Sequence, residues 1–128
     1  MSALVIDTSS WSLYFRGRGA AAIEDALAQG RVHLPPVVAA ELLSAKLSPR
    51  QRKDLEELLT DLPLCGQDRD HWFRVGSLRS ALFRRGLSVS TPDAHVAQCA
   101  LDLDAELLTE DDAFTLIARH RPLRLASR

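Results

Sequence analysis

Ala3-Leu4-Val5-Ile6 is an unbroken apolar run that stops at Asp7. Such a run suits a strand buried on both faces. Thr8-Ser9-Ser10 then offers hydroxyls that cap a helix. Ile23, Ala26 and Leu27 form a helical stripe that ends at Gly30. Arg31-Val32-His33-Leu34 reads as a short strand, and Pro35-Pro36 opens a helix running to about Lys46. Ser48-Pro49 is a second cap-plus-proline start. Behind it Leu55, Leu58, Leu59 and Leu62 follow the i, i+3, i+4, i+7 spacing of a core-facing helix. Leu62-Pro63-Leu64-Cys65 reads as a brief edge strand. Trp72, Val75, Leu78 and Leu82 mark a long helix closed by Gly86. Thr91-Pro92 starts another, with Val96, Cys99, Ala100 and Leu103 as its buried stripe. Glu106-Leu107-Leu108-Thr109 is a buried strand, Leu116-Ile117 lie on a short helix, and Pro122-Leu123-Arg124-Leu125 is a last strand. Strands alternate with helices, which predicts an α/β domain around a mainly parallel sheet.

Composition narrows this picture. At 128 residues and 46% hydrophobic, a single domain over 1–128 with a core of its own is expected. No apolar run approaches the roughly 18–20 residues that cross a bilayer. The first residues lack the basic and long apolar segments of a signal peptide, so a cytoplasmic protein with no membrane partner is expected. Two cysteines, Cys65 and Cys99, are too few for a disulfide framework or a zinc cluster, and both are expected to pack as small hydrophobes. His33, His71, His95 and His120 show no metal-ligand spacing.

Acidic residues then stand out by position. Asp7 follows a strand, at the end where open α/β sheets collect ligands; helix capping is its ordinary alternative. Glu41 shares a helix face with Val38, Leu42 and Ala45, unless it sits at the stripe's edge and reaches solvent. Asp93 lies in the first turn of its helix, where the helix dipole favours an acid. Asp111 and Asp112 follow the strand ending at Thr109. Asp7, Glu41, Asp93 and Asp111 can converge on one sheet edge, where they repel unless a cation sits among them. Oxygen-only ligands select Mg²⁺ or Mn²⁺. The chemistry this suits is metal-assisted attack of water on a phosphodiester.

In this pattern the chain resembles the PIN-domain ribonucleases and, within them, the VapC toxins of bacterial toxin–antitoxin pairs. The resemblance rests on Val5-Ile6-Asp7-Thr8-Ser9, on Val38-Ala39-Ala40-Glu41-Leu42, on the segment Ser90 to Ala100 around Asp93, and on Leu107-Leu108-Thr109-Glu110-Asp111-Asp112-Ala113-Phe114. It implies a three-layer α/β/α fold with a central, mainly parallel sheet, and Mg²⁺- or Mn²⁺-dependent RNA cleavage that leaves 5′-phosphate and 3′-hydroxyl ends. Asp7, Glu41, Asp93 and Asp111 match the family's acids, with Asp7, Asp93 and Asp111 expected to hold the metal and Glu41 to orient the attacking water. Ser9 and Thr109 are expected to support the site. The family often carries a further acid two residues beyond the fourth. That position is Ala113 here, and Asp112 stands beside Asp111 instead. Arg16, Arg18, Arg84 and Arg85 are the candidates for RNA phosphates. The resemblance also implies a cognate antitoxin and a homodimer.

Three rivals belong to other classes: a housekeeping RNA-processing or DNA-directed nuclease of the same fold, a non-catalytic interaction module, and a phosphoacceptor receiver domain. The last needs paired acids after its first strand and an aspartate after its third. Here Asp7 stands alone, and Asp54 and Asp61 fall in a helical pattern.

Charge bears on the RNA expectation. The 16 basic residues against 17 acidic ones leave a net charge of −1, which is low for a nucleic-acid binder. Setting aside the four converging acids leaves 16 bases against 13 acids. The chain is then expected to hold an acidic centre within a mildly basic, arginine-based surface.

Overall fold

The computed structural model describes residues 2–127. The strands are β1 (Leu4–Ile6), β2 (Val32–His33), β3 (Glu106–Leu108) and β4 (Arg124–Leu125). The helices are α1 (Thr8–Phe15), α2 (Ala20–Ala28), α3 (Pro36–Leu43), α4 (Pro49–Thr60), α5 (Arg69–Arg84), α6 (Thr91–Leu103) and α7 (Ala113–Ala118). All strand pairs are parallel, in the order β2-β1-β3-β4.

That order contains a reversal. From β1 the chain moves outward to β2, then returns past β1 to β3 and on to β4. Right-handed crossovers therefore place the α1–α2 connection and the α7 connection on opposite faces, giving three layers. α6 packs with α7 against β1 and β3. The carboxyl ends of β1 and β3 flank the reversal, the place where open α/β sheets bind ligands. Their register is direct: Ile6 lies opposite Leu108, and the Asp7 N–H donates to the Leu108 carbonyl at 3.1 Å.

The core is the one the apolar runs predict. Val5, Ile6 and Leu107 are fully buried, with Trp11, Ile23, Val38, Leu82, Phe114 and Ile117 packed around them. Local signals set the helix starts. Ser48 and Gln51 form a reciprocal capping box ahead of Pro49, and the Ser90 hydroxyl accepts the Asp93 N–H ahead of Pro92.

Three expectations are corrected. The helix from Pro36 stops at Leu43 rather than near Lys46: the last turn tightens, with the Ser44 N–H shared with the Glu41 carbonyl and the Ala45 N–H bonded to Leu42, while the Ser44 hydroxyl donates to the Ala40 carbonyl. The segment at Leu62–Cys65 forms a single parallel bridge, Leu34 to Leu64, and no strand of its own. On α5 the buried stripe is His71, Val75, Leu78 and Leu82, while Trp72 stays 37% exposed. Helical geometry turns His71 inward because it has polar partners on α6.

Candidate active site

Asp7 occupies the junction between β1 and α1. It is 6% exposed and caps α1 by accepting the Ser10 N–H on Oδ1 at 3.0 Å. Capping and site chemistry coexist here. The Ser9 hydroxyl donates to the same Oδ1 at 2.7 Å, and the Thr109 hydroxyl donates to Oδ2 at 2.6 Å. Both carboxylate oxygens are thus held by short, charge-assisted bonds. Ser9 Oγ also accepts the Glu110 N–H at 3.0 Å, and Thr109 Oγ1 accepts the Asp111 N–H at 2.9 Å. Ser9 and Thr109 therefore tie the β1 and β3 ends into one unit around Asp7.

Asp111 accepts the Ala113 N–H on Oδ1 at 2.9 Å, which fixes it at the start of α7. Asp112 is exposed and offers its carbonyl to Thr115. Glu41, on α3, reaches solvent instead of lying on an apolar face. Its Oε1 accepts the Thr8 hydroxyl at 2.5 Å. Thr8 is the site residue that sequence reasoning missed, since its hydroxyl reads as one more helix cap.

Asp93 binds these elements together. Partial burial and the negative charges of Asp111, Asp7 and Glu41 raise its carboxyl above the ordinary carboxylate range, against a lowering hydrogen bond from Ser90. Four acids from four segments thus share one electrostatic neighbourhood, with Asp112 not among the charges acting on Asp93. Among the described residues, no lysine or arginine forms an ion pair with Asp7, Glu41, Asp93 or Asp111. Their charge is left for a mobile cation to offset.

Arg16 and Arg18, just past α1, are exposed, as are Arg84 and Arg85 at the end of α5. His95, two residues after Asp93, turns away from the acids into the α5–α6 interface, where it meets His71.

Thr109→Val tests the support of Asp7. It leaves one carboxylate oxygen of a buried acid without its donor. The expected cost is about 1.5–3 kcal/mol of stability and about 10–100-fold in activity, read by urea unfolding and by initial rates. Unchanged rates would detach Thr109 from the site.

The PIN domain model matches residues 4–120. Ribonuclease VapC11 of Mycobacterium tuberculosis is 32% identical over 131 residues, covering 97% of this chain and 98% of that protein. Among solved structures, the DNA-bound VapBC from Salmonella typhimurium superposes with a TM-score of 0.81 at 20% identity, covering 98% of each chain. VapBC2 from Rickettsia felis, bound to a promoter DNA fragment, gives 0.78 at 19% identity, covering 97% of each. With the family model spanning most of the chain and a relative of that identity matching nearly all of it, the chain belongs to the PIN-domain family and, within it, to the VapC ribonucleases.

Proposed function

We propose that this chain is the ribonuclease toxin of a toxin–antitoxin pair, a single domain over 1–128 that hydrolyses RNA in the cytoplasm with Mg²⁺ or Mn²⁺. The observation that carries the metal requirement is the shared field on Asp93, from acids that, among the described residues, pair with no lysine or arginine. An all-oxygen donor set fits a hard divalent ion. Asp7, Asp93 and Asp111 would hold it. When bound, the ion polarises a phosphoryl oxygen and offsets developing negative charge.

The remaining steps fall to the chain's own residues. Asp7 is locked by Ser9, Ser10 and Thr109, so its oxygens enter the site in one orientation. Glu41 is exposed and oriented by Thr8, and so can accept a proton from the attacking water. Arg16, Arg18, Arg84 and Arg85 lie on the solvent side and supply charge for the RNA backbone. A homodimer and a cognate antitoxin complete the reading. The solvent face of α5, with Phe73 and Phe83 at 67% and 71% exposure, supports a protein contact there.

The test is digestion of total RNA by the purified protein with the cleavage ends mapped. Cleavage is expected with Mg²⁺ or Mn²⁺, to stop with EDTA, and to leave 5′-phosphate ends. Cleavage that persists in EDTA would overturn the metal assignment. A protein inert toward every RNA, yet binding Mn²⁺, would overturn the ribonuclease reading.

A further inference from the structure

The α5–α6 interface holds a second cluster of ligand-type side chains, away from the acids. His71 on α5 and His95 and Cys99 on α6 are each 0% exposed. One donor atom from each lies within 4.8 Å of the others. Cys65, on the segment bridged to Leu34, is also buried, and it directly precedes Gly66, whose backbone packs against Cys99, His95 and His71. The two cysteines alone are too few to hold a metal, but with the two histidines the count reaches four. His95 and Cys99 are four residues apart on α6, so both project from one face.

We propose that His71, His95, Cys99 and Cys65 form a structural zinc site that staples the α5–α6 hairpin to the edge of the sheet. The inference is independent of the ribonuclease reading. Two imidazoles and two thiols are a donor set typical of closed, structural zinc sites.

Three further features fit. First, His71 is oriented from behind: its Nδ1 lies 2.8 Å from Asp102 Oδ2, leaving Nε2 to face the cluster. Asp102 is itself gripped by two bonds from Arg74 at 2.9 Å and one from Gln98 at 2.8 Å. A carboxylate on the far nitrogen of a histidine is the usual outer partner of a zinc ligand. Second, Trp72 stacks on the His95 ring at 4.5 Å and 5°, shielding that face. Third, the chain closes over the cluster at Gly66, in the left-handed region at φ +68°. A Cβ there would lie 2.6 Å from Cys99 Sγ and 2.8 Å from His71 Nε2.

Without metal the cluster satisfies itself. His71 Nε2 and His95 Nδ1 share one proton across 2.7 Å. Zinc entry must break the His–His bond and open the two nitrogens to about 3.3 Å, the separation on a tetrahedral ion. It displaces one proton from each thiol, so Zn²⁺ enters and two H⁺ leave.

The experiment strips the reduced full-length protein with chelator and titrates it with Co²⁺. The expected result is one Co²⁺ per chain that develops a thiolate-to-cobalt charge-transfer band and tetrahedral visible bands and is displaced by Zn²⁺, while any Co²⁺ taken up by the acids adds no such band. Cys99→Ser, which keeps the side-chain size, should lose at least about tenfold in Co²⁺ affinity and most of the band while retaining its far-UV spectrum. Asp93→Asn should keep the band, because the acids have no sulfur to supply it. Co²⁺ binding without a thiolate band, no binding at all, or a band that survives Cys65→Ser/Cys99→Ser would each overturn the site.

Discussion

Asp93→Asn is expected to lower RNA cleavage by on the order of 10²–10³-fold and, without divalent ions, to raise the melting temperature. The two effects have one cause. Burial and the charges of Asp111, Asp7 and Glu41 raise the proton affinity of Asp93 in the folded state. A folded pKa above the unfolded one means that ionising Asp93 costs stability. The penalty is absent at pH below the unfolded value near 3.8. It grows as pH rises through the raised folded value and is complete above it. Asparagine keeps the shape and removes the charge, so the variant escapes the penalty at neutral pH. A charge in the first turn of α6 also gains about 0.3–1 kcal/mol from the helix dipole, which the variant gives up. Burial and three neighbouring carboxylates together are expected to outweigh that gain. Mn²⁺ should reverse the order, raising the melting temperature of the wild type more than that of Asp93→Asn. Differential scanning calorimetry with and without Mn²⁺ reads both. A metal-free variant that melts below the wild type would contradict the shared acidic field.

This coupling explains why the acids were legible in sequence. Asp7 and Asp111 follow strands, Asp93 opens a helix and Glu41 lies within one beside apolar residues, all places where a structural residue is expected, and a concentration of like charge is unfavourable unless it has a use. Capping did not compete with function at Asp7, because Oδ1 caps α1 while Oδ2 is held by Thr109. The strand order was not legible, since parallel pairing over two or three residues leaves almost no periodic signal. Nor was the partner of Glu41. Its bond to Thr8 spans 33 positions, and only the packing of α1 beside α3 creates it. The α5–α6 cluster was missed for a similar reason. Trp72 looks like the natural core residue, yet His71 takes the interior place because Asp102 and His95 satisfy both its nitrogens. A buried polar group is cheap when fully paired, and a single-helix pattern cannot show a partner 31 residues away.

The expected charge separation follows from the same geometry. The four acids act on one another and, among the described residues, form no ion pair with a lysine or arginine, while Arg16, Arg18, Arg84 and Arg85 are exposed. A near-neutral chain thus carries a local negative centre of the kind a divalent cation offsets, and on the proposed reading the exposed arginines supply the charge that faces RNA.

Two alanine substitutions within the same stretch of chain should act in opposite directions. Gly66→Ala forces an L-residue into φ +68° and drives its Cβ to 2.6 Å from Cys99 Sγ, 2.7 Å from His95 Cε1 and 2.8 Å from His71 Nε2. The left-handed conformation alone costs about 1–2 kcal/mol. Overpacking rigid rings adds about 1–3 kcal/mol, because His71 and His95 are held by Asp102 and Trp72 and cannot swing aside. The expected loss is about 2–5 kcal/mol, a large part of the stability of a domain this size. Gly76, in the middle of α5, has nothing within 4 Å of its Cβ position. Gly76→Ala removes backbone freedom from the unfolded chain and adds no contact, so it should stabilise by about 0.5–1 kcal/mol. Denaturant unfolding of both variants checks the pair. The decisive outcome is the sign. If Gly66→Ala were neutral, the two histidines and Cys99 would not be packed against that glycine, and the closed cluster at the α5–α6 interface would not exist as described.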